Sequence, residues 1–286
     1  MDRHIQITST LKKFLYICVI YQIQMKKLLI VIITSLAGLI SASAQSSYEH
    51  RQFTSTTGLT LKYRELTPVK TEARKKYPLV IFLHGSGERG DDNEKQLQHG
   101  GQMFLNPANQ EKYPAYVLFP QCPQDSYWAF GKRPTFVNPM PFIEDTPEIT
   151  ATLKELIFSY IANHAVDPSR VYMIGLSMGG MGTYDMVSRF PELFAAAVPI
   201  CGAAVLERLP AAKNVKFRIF HGDADNVVPV ECSRAAYRVL KEAGADVEYH
   251  EFAGCGHGSW NPAFNHPDFM KWLFKQKNRK SRSTNQ

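Results

Sequence analysis

The chain has 286 residues, of which 44% are hydrophobic, 12% aromatic and 21% charged, and its formal net charge is +7. That length suits one or two domains, and the composition excludes wholesale disorder, a collagen-like repeat and a multi-span membrane protein. A positive balance can mark an acidic partner, so where the charge lies along the chain has to be read before it is interpreted.

At the start, Met25-Lys26-Lys27, the apolar run Leu28 to Ile40 and Ser41-Ala42-Ser43-Ala44 form a basic n-region, an h-region and a small-residue cleavage site, which is the pattern of a secretory signal peptide. The alternative is a membrane anchor, but the run is shorter than the ~20 residues a span needs. No Cys follows the small residues, so a lipid anchor is not indicated. A second, weaker apolar stretch, Phe14 to Ile23, lies upstream, and Met25 is read as the true start, with an unusually long n-region as the alternative. Residues 1–44 hold Arg3, Lys12, Lys13, Lys26 and Lys27 against Asp2, so removing them lowers the net charge from +7 to +3. Lys275, Lys277, Arg279, Lys280 and Arg282 crowd the other end, which leaves the body slightly acidic. No basic stripe with interleaved aromatics is present, and nucleic acid is not expected as a partner. The expected organisation is a leader over 1–44, one domain over 45–277 and a solvated basic tail over 278–286, with no membrane span after cleavage.

Tyr48 to Leu66 reads as two strands around Thr57-Gly58. Tyr77 to Leu83 is apolar on both faces, as a buried parallel strand must be, and Tyr116 to Phe119 is similar. Phe130 to Pro147 is Pro-rich and aperiodic, and it is either a cap over a site or a surface connection. Thr150 to Ala162 has helical spacing, with Leu153, Leu156, Ile157, Tyr160 and Ile161 on one face. Val171–Ile174, Ala195–Ile200, Phe217–Phe220 and Val247–Phe252 are further strands. Ser233–Ala243 reads as a helix stopped by Gly244, and His266–Lys275 as a final helix. Strands alternating with helices imply an α/β fold with a mostly parallel central sheet flanked by helices, in a single domain.

The strongest local signal follows the strand Val171–Ile174. Gly175-Leu176-Ser177-Met178-Gly179 is G-x-S-x-G in a strand–turn–helix setting, a tight turn that lifts the Ser177 hydroxyl clear of the backbone. The helix N-terminus beneath it favours developing negative charge, with the Met178 N–H aimed at an oxyanion. A serine needs a base, and the base needs an orienting acid. His257, in Gly254-Cys255-Gly256-His257, follows the last strand and is the preferred base. Asp225, in His221-Gly222-Asp223-Ala224-Asp225, is the preferred acid, with Asp223 as the rival and a turn role as its alternative. His221 is read as structural, and His250, His164, His99 and His266 as background. After the first buried strand, the Gly-rich turn His84-Gly85-Ser86-Gly87-Glu88-Arg89 is placed to supply the second oxyanion donor, the Ser86 N–H; the plainer alternative is a tight loop. Phosphate binding is disfavoured because G-K-[ST] is absent. No Cys/His cluster with zinc spacing occurs, and neither metal nor cofactor is expected. Cys18 leaves with the leader, and Cys122, Cys201, Cys232 and Cys255 form either up to two disulfides or free thiols.

Taken together, H-G-S-G-E-R-G, G-L-S-M-G-G, H-G-D-A-D-N-V-V-P and G-C-G-H-G-S-W resemble exported α/β-hydrolases of the predicted-peptidase and phospholipase/carboxylesterase group, close to feruloyl-esterase and polyhydroxybutyrate-depolymerase-like enzymes. The resemblance runs from about Tyr48 to Phe274. It implies an α/β-hydrolase fold with Ser177 as nucleophile, Asp225 as acid, His257 as base and Ser86 at the oxyanion position. It also implies Trp260 as a wall of the acyl or alcohol pocket. Trp128, in the Pro120-to-Trp128 stretch, either faces the cleft as a substrate contact or serves as plain packing. The expected activity is a serine carboxylic-ester hydrolase without cofactor, exported to the periplasm or the medium, acting on a small-molecule or polysaccharide-linked ester. A serine peptidase or acyltransferase on the same scaffold, and a non-catalytic glycan-binding relative, are the alternatives.

Overall fold

The structure, a computed structural model, describes residues 47–132, 134 and 140–278. The leader, its cleavage site, Cys18, residue 133, residues 135–139 of the Pro-rich segment and the tail from 279 onward lie outside the described residues. Asn278, assigned to the tail by sequence, is hydrogen-bonded to Ser169 O through its N–H and to Glu192 O through its amide.

Among the described residues, eight strands form one sheet: β1 (Glu49–Thr54), β2 (Thr60–Leu66), β3 (Tyr77–Leu83), β4 (Tyr116–Pro120), β5 (Val166–Leu176), β6 (Ala196–Ile200), β7 (Lys216–Gly222) and β8 (Val247–Phe252), in the order β1-β2-β4-β3-β5-β6-β7-β8. β1 pairs antiparallel with β2, and β2 antiparallel with β4; all other pairs are parallel. The order explains the composition of the strands. β3 has a neighbour on each side and a helix layer on each face, so all seven of its residues are buried. β8 pairs only with β7 and is half-buried along most of its length.

The period of two along each strand divides the core into two layers. On β3, Leu79, Ile81 and Leu83 point to one layer, and Val80 and Phe82 to the other; on β5, Val171 and Met173 are divided in the same way from Tyr172, Ile174 and Leu176. Helices α3 (Glu148–Asn163) and α4 (Met178–Arg189) cover the first layer, with Leu153, Leu156, Ile157 and Tyr160 from α3 and Met181 and Tyr184 from α4. The second layer is closed by α1 (Gly101–Leu105), α6 (Trp260–Phe264) and α7 (Phe269–Lys275) through Phe104, Ala263, Phe269 and Leu273. Burying each such Leu, Phe or Ile contributes about 1.5–3 kcal/mol against exposure. α2 (Pro107–Lys112) starts at Asn106, whose Oδ1 accepts from the Ala108 and Asn109 N–H groups, and α5 (Glu231–Glu242) lies between β7 and β8 in the chain. Among the described residues, no helix is long and apolar enough to cross a membrane. Cys122, Cys201, Cys232 and Cys255 are all free thiols, so the sequence alternative of two disulfides gives way to unpaired cysteines, three of them buried.

The described end of the Pro-rich segment is clamped from below. Asp185 of α4, buried, accepts from Arg189 Nε at 2.8 Å, Arg208 Nη1 at 3.0 Å and Thr150 Oγ1 at 3.2 Å. The two guanidinium groups in turn donate to the Ile143 carbonyl, and Arg189 also to that of Glu144. One carboxylate thus neutralises part of the charge of two arginines that tie down a chain segment with no ladder of its own.

Candidate active site

The end of β5 and the start of α4 meet at Ser177. Its backbone stands at φ 53°, ψ −118°, a conformation an L-residue holds only where its surroundings enforce it. Two glycines explain how. A Cβ on Gly175 would lie 2.1 Å from Gly179 O, and a Cβ on Gly179 would lie 2.0 Å from Leu83 O, so the turn closes only if both positions lack a side chain. The Ser177 N–H donates to Ile200 O of β6 at 2.9 Å, pinning the turn to the sheet.

Three side chains past the carboxyl ends of β5, β7 and β8 are hydrogen-bonded in series. Ser177 Oγ is 2.9 Å from His257 Nε2, and His257 Nδ1 is 2.7 Å from Asp225 Oδ2. Asp225 is buried, yet its second oxygen accepts from the Val227 and Val228 N–H groups at 2.8 and 2.9 Å. Burial alone would raise its pKa, but the bonds from His221, His257, Val228 and Val227 outweigh that and hold the carboxyl well below the usual range, so it stays ionised. Asp223 does not reach His257. Its Oδ1 accepts the Gly254 N–H at 2.6 Å and shapes the loop that presents the imidazole. His221 is buried, with Nε2 3.2 Å from Asp225 Oδ2 and 2.9 Å from Val228 O, and Nδ1 2.7 Å from Ser233 Oγ; it holds the Asp225 loop in place.

Beneath this series lies Cys201, at φ 41°, with its thiol within 4.8 Å of the nearest ligating atoms of Asp225 and His257, the one such three-residue grouping among the described residues. Burial pushes the Cys201 thiol up to about 12, so it approaches as an uncharged S–H. His257 Nδ1 and Asp225 Oδ2 already bond to one another.

Two backbone positions lie beside the serine. Met178 opens α4, where the first N–H groups of a helix have no intrahelical acceptor. Ser86 opens a short 3₁₀ turn, Ser86–Glu88, immediately after Gly85, and a Cβ on Gly85 would lie 3.8 Å from the Ser177 Cβ. The turn is braced by contacts that sequence reasoning missed. His84, buried, accepts the Cys122 N–H at Nε2 (2.9 Å), which leaves Nδ1–H to donate to Gly85 O at 2.6 Å. Burial brings its pKa down to about 4, so the ring stays neutral and keeps that tautomer. Arg89 Nε donates to Ser86 O at 3.0 Å, and its Nη1 to Gln124 O at 3.0 Å.

Trp128 is placed differently from the cleft-facing expectation. It is fully buried, its indole N–H donates to His84 O at 3.2 Å, and a Cβ on Gly182 would lie 2.8 Å from its own Cβ. It is a prop between the His84–Glu88 loop and α4, because an indole with no exposed surface cannot touch substrate. Trp260 does reach the site, standing edge-on to the His257 ring at 5.4 Å. Its indole also packs on His99 at 5.0 Å, and His99 Nε2 lies 3.8 Å from Glu88 Oε1. His99, read as background, therefore packs in one cluster with Trp260 and His257.

A family model of phospholipase/carboxylesterases matches residues 65–267. Poly(3-hydroxyalkanoate) depolymerase C of Paucimonas lemoignei is 34% identical over 125 residues, covering 44% of this chain and 28% of that protein. Carboxylesterase SOBER1 of Arabidopsis thaliana is 28% identical over 200 residues, 64% of this chain and 84% of its own length. The crystal structure of a thermostable esterase superposes with a TM-score of 0.74 at 35% identity, covering 80% of this chain and 63% of that one. A ferulic acid esterase of Anaeromyces mucronatus, at 15% identity and a TM-score of 0.60, covers 82% of this chain and 92% of its own, and shares the fold. The chain thus spans less than two thirds of the depolymerase and of the thermostable esterase.

Proposed function

The chain belongs to the phospholipase/carboxylesterase family, and from that membership we propose that it is an exported serine hydrolase that cleaves carboxylic esters through Ser177, His257 and Asp225. The observation that carries this reading is the unbroken series of hydrogen bonds at 2.9 and 2.7 Å from Ser177 Oγ through His257 to a buried, ionised Asp225, anchored on a strained turn.

Ser177 Oγ attacks the ester carbonyl carbon while its proton passes to His257 Nε2. The imidazolium that forms is stabilised through Nδ1–H by Asp225. The carbonyl oxygen, now an oxyanion, takes the N–H groups of Met178 and Ser86, each donor contributing about 3 kcal/mol to transition-state stabilisation. The tetrahedral intermediate collapses with cleavage of the C–O bond, and His257 gives its proton to the departing alkoxide. A water, deprotonated by the same imidazole, then attacks the acyl-Ser177 carbonyl and releases the acid. No metal or cofactor enters any of these steps. Trp260, with His99 behind it, forms one wall of the cleft, and the substrate class is an acylated carbohydrate or a related small ester. The basic n-region, apolar run and small-residue site of residues 25–44 support export.

The test is Ser177→Ala against p-nitrophenyl acetate and butyrate, with fluorophosphonate labelling of the parent. Loss of turnover in a folded variant and labelling at Ser177 are expected. Unchanged turnover, or a parent that does not label, overturns the assignment. A panel of acetyl, feruloyl and longer acyl esters, with peptide substrates alongside, reads the specificity.

A further inference from the structure

A cluster of cationic side chains lies at the opposite end of the sheet from the serine. Lys75 and Lys76 just before β3, Lys112 at the end of α2, Arg170 within β5, and Lys271 and Lys275 on α7 converge on one groove of about 340 Å³. Its described lining contains no acidic side chain. Glu72 pairs with Lys75 and Asp167 with Arg170, but Lys76, Lys112, Lys271 and Lys275 have no carboxylate in ion-pair range among the described residues. Four ammonium groups held together without counter-charge in a concavity repel one another and focus a positive potential into it. The lining includes the amino end of β3 and the approach to β4, whereas Ser177, Asp225 and His257 follow the carboxyl ends of their strands. The length of β3 alone puts the two sites on the order of 20 Å apart.

We propose that this groove binds a linear polyanionic polysaccharide bearing carboxylates, such as a uronic-acid chain, and so anchors the protein on a polymer independently of the serine site. Two observations select a polyanionic chain over a lipid surface or a nucleic acid. The groove is concave, which suits a chain and not a flat lipid surface. Its aromatic rings already carry partners where stacked bases would need free faces: Tyr113 has Phe274 stacked at 5.1 Å and the Lys112 ammonium 5.4 Å from its centroid, and Tyr77 is buried with Lys75 at 5.6 Å. A single-stranded nucleic acid requires such faces. The recognition is therefore by charge alone, from cations on several sides of the groove. The choice of a polysaccharide over an acidic peptide rests on the proposed carbohydrate-ester substrate, while the polyanion chemistry does not.

The full chain is tested by affinity electrophoresis through gels containing polygalacturonate or neutral amylose, at low and high salt. Two charge-matched variants separate the groove from general basicity: Lys76→Gln/Lys271→Gln/Lys275→Gln, and Lys95→Gln/Lys213→Gln/Lys241→Gln, whose lysines are exposed elsewhere. Retardation by polygalacturonate only, weakened about tenfold or more by the groove triple and by no more than about twofold by the control triple, is expected, as is its loss at high salt. Turnover of p-nitrophenyl acetate should be unchanged in both triples, which reports that they fold. Ser177→Ala should still bind, so a failed serine assignment and a failed groove assignment give different results. Absent retardation of the parent, or equal weakening by the two triples, overturns the site. Tighter retention by polyglutamate, single-stranded DNA or phosphatidylserine vesicles through the same lysines overturns its occupant.

Discussion

Asp225→Asn isolates the acid without emptying its place. The retained side-chain oxygen can still accept the Val227 and Val228 amides, and His221 keeps its 2.9 Å partner at Val228 O, so the loop should fold. The change falls on the other atom. A donor NH₂ now faces His257 Nδ1 across 2.7 Å, and two donors cannot share that distance, so the ring turns to the tautomer that presents N–H to Ser177 and cannot take its proton. The lost charge-assisted bond supplies about 1.5–3 kcal/mol, or roughly 10- to 100-fold in rate. The wrong tautomer takes the total to about 10⁴-fold, near 5 kcal/mol. The assay is kcat/KM for p-nitrophenyl butyrate, with thermal melting as the fold control. Asp223→Asn keeps the acceptor that Gly254 needs and should change the rate by about twofold or less. A loss below about tenfold at position 225 with melting unchanged, or a larger loss at 223, refutes the reasoning.

Further outcomes follow from the supports of the site. Asp185→Ala leaves Arg189 and Arg208 without their shared buried carboxylate, and urea unfolding should show a loss of about 3–5 kcal/mol. Because burial brings His84 down to about 4 from 6.5, the unfolded chain binds a proton between those values that the native chain refuses. Its contribution is therefore complete above pH 6.5 and is lost as pH falls toward 4, about 3 kcal/mol over the window; His84→Gln should flatten that part of the melting-temperature profile. In thiol titration of the described domain, Cys255 should react in the native protein. Cys122, Cys201 and Cys232, buried and with thiols raised to about 12, about 12 and about 11, should react only after denaturation.

What the sequence made legible was what is local. β3 and β8 begin and end where their apolar patterns do, and the Ser177 turn is written in adjacent residues. β5 extends back to Val166 through Pro168 because Val166 pairs with Tyr77 beyond a register shift, a partnership no local pattern carries. α1 and α2, with five and six residues, are too short for a 3.6-residue period to appear, although Asn106 followed by Pro107 was a readable start signal. Trp128 could not be sorted into cleft or core, because its burial depends on His84 and Gly182, far away in the chain. The basic groove was invisible to a search for a charge stripe because four separate stretches of chain build it.

The position of β8 at the margin of the sheet has a consequence for durability. His257 is carried on a loop that hangs from the strand with one neighbour and a half-buried length, while Ser177 directly follows the interior strand β5. Peeling of that margin separates His257 from Ser177 before the interior yields, since local openings cost less than global unfolding. Heat should therefore silence the chemistry at a lower temperature than it melts the fold, and cooling should restore it. Reinforcing the β7–β8 seam would lengthen working life without any change to the reacting groups.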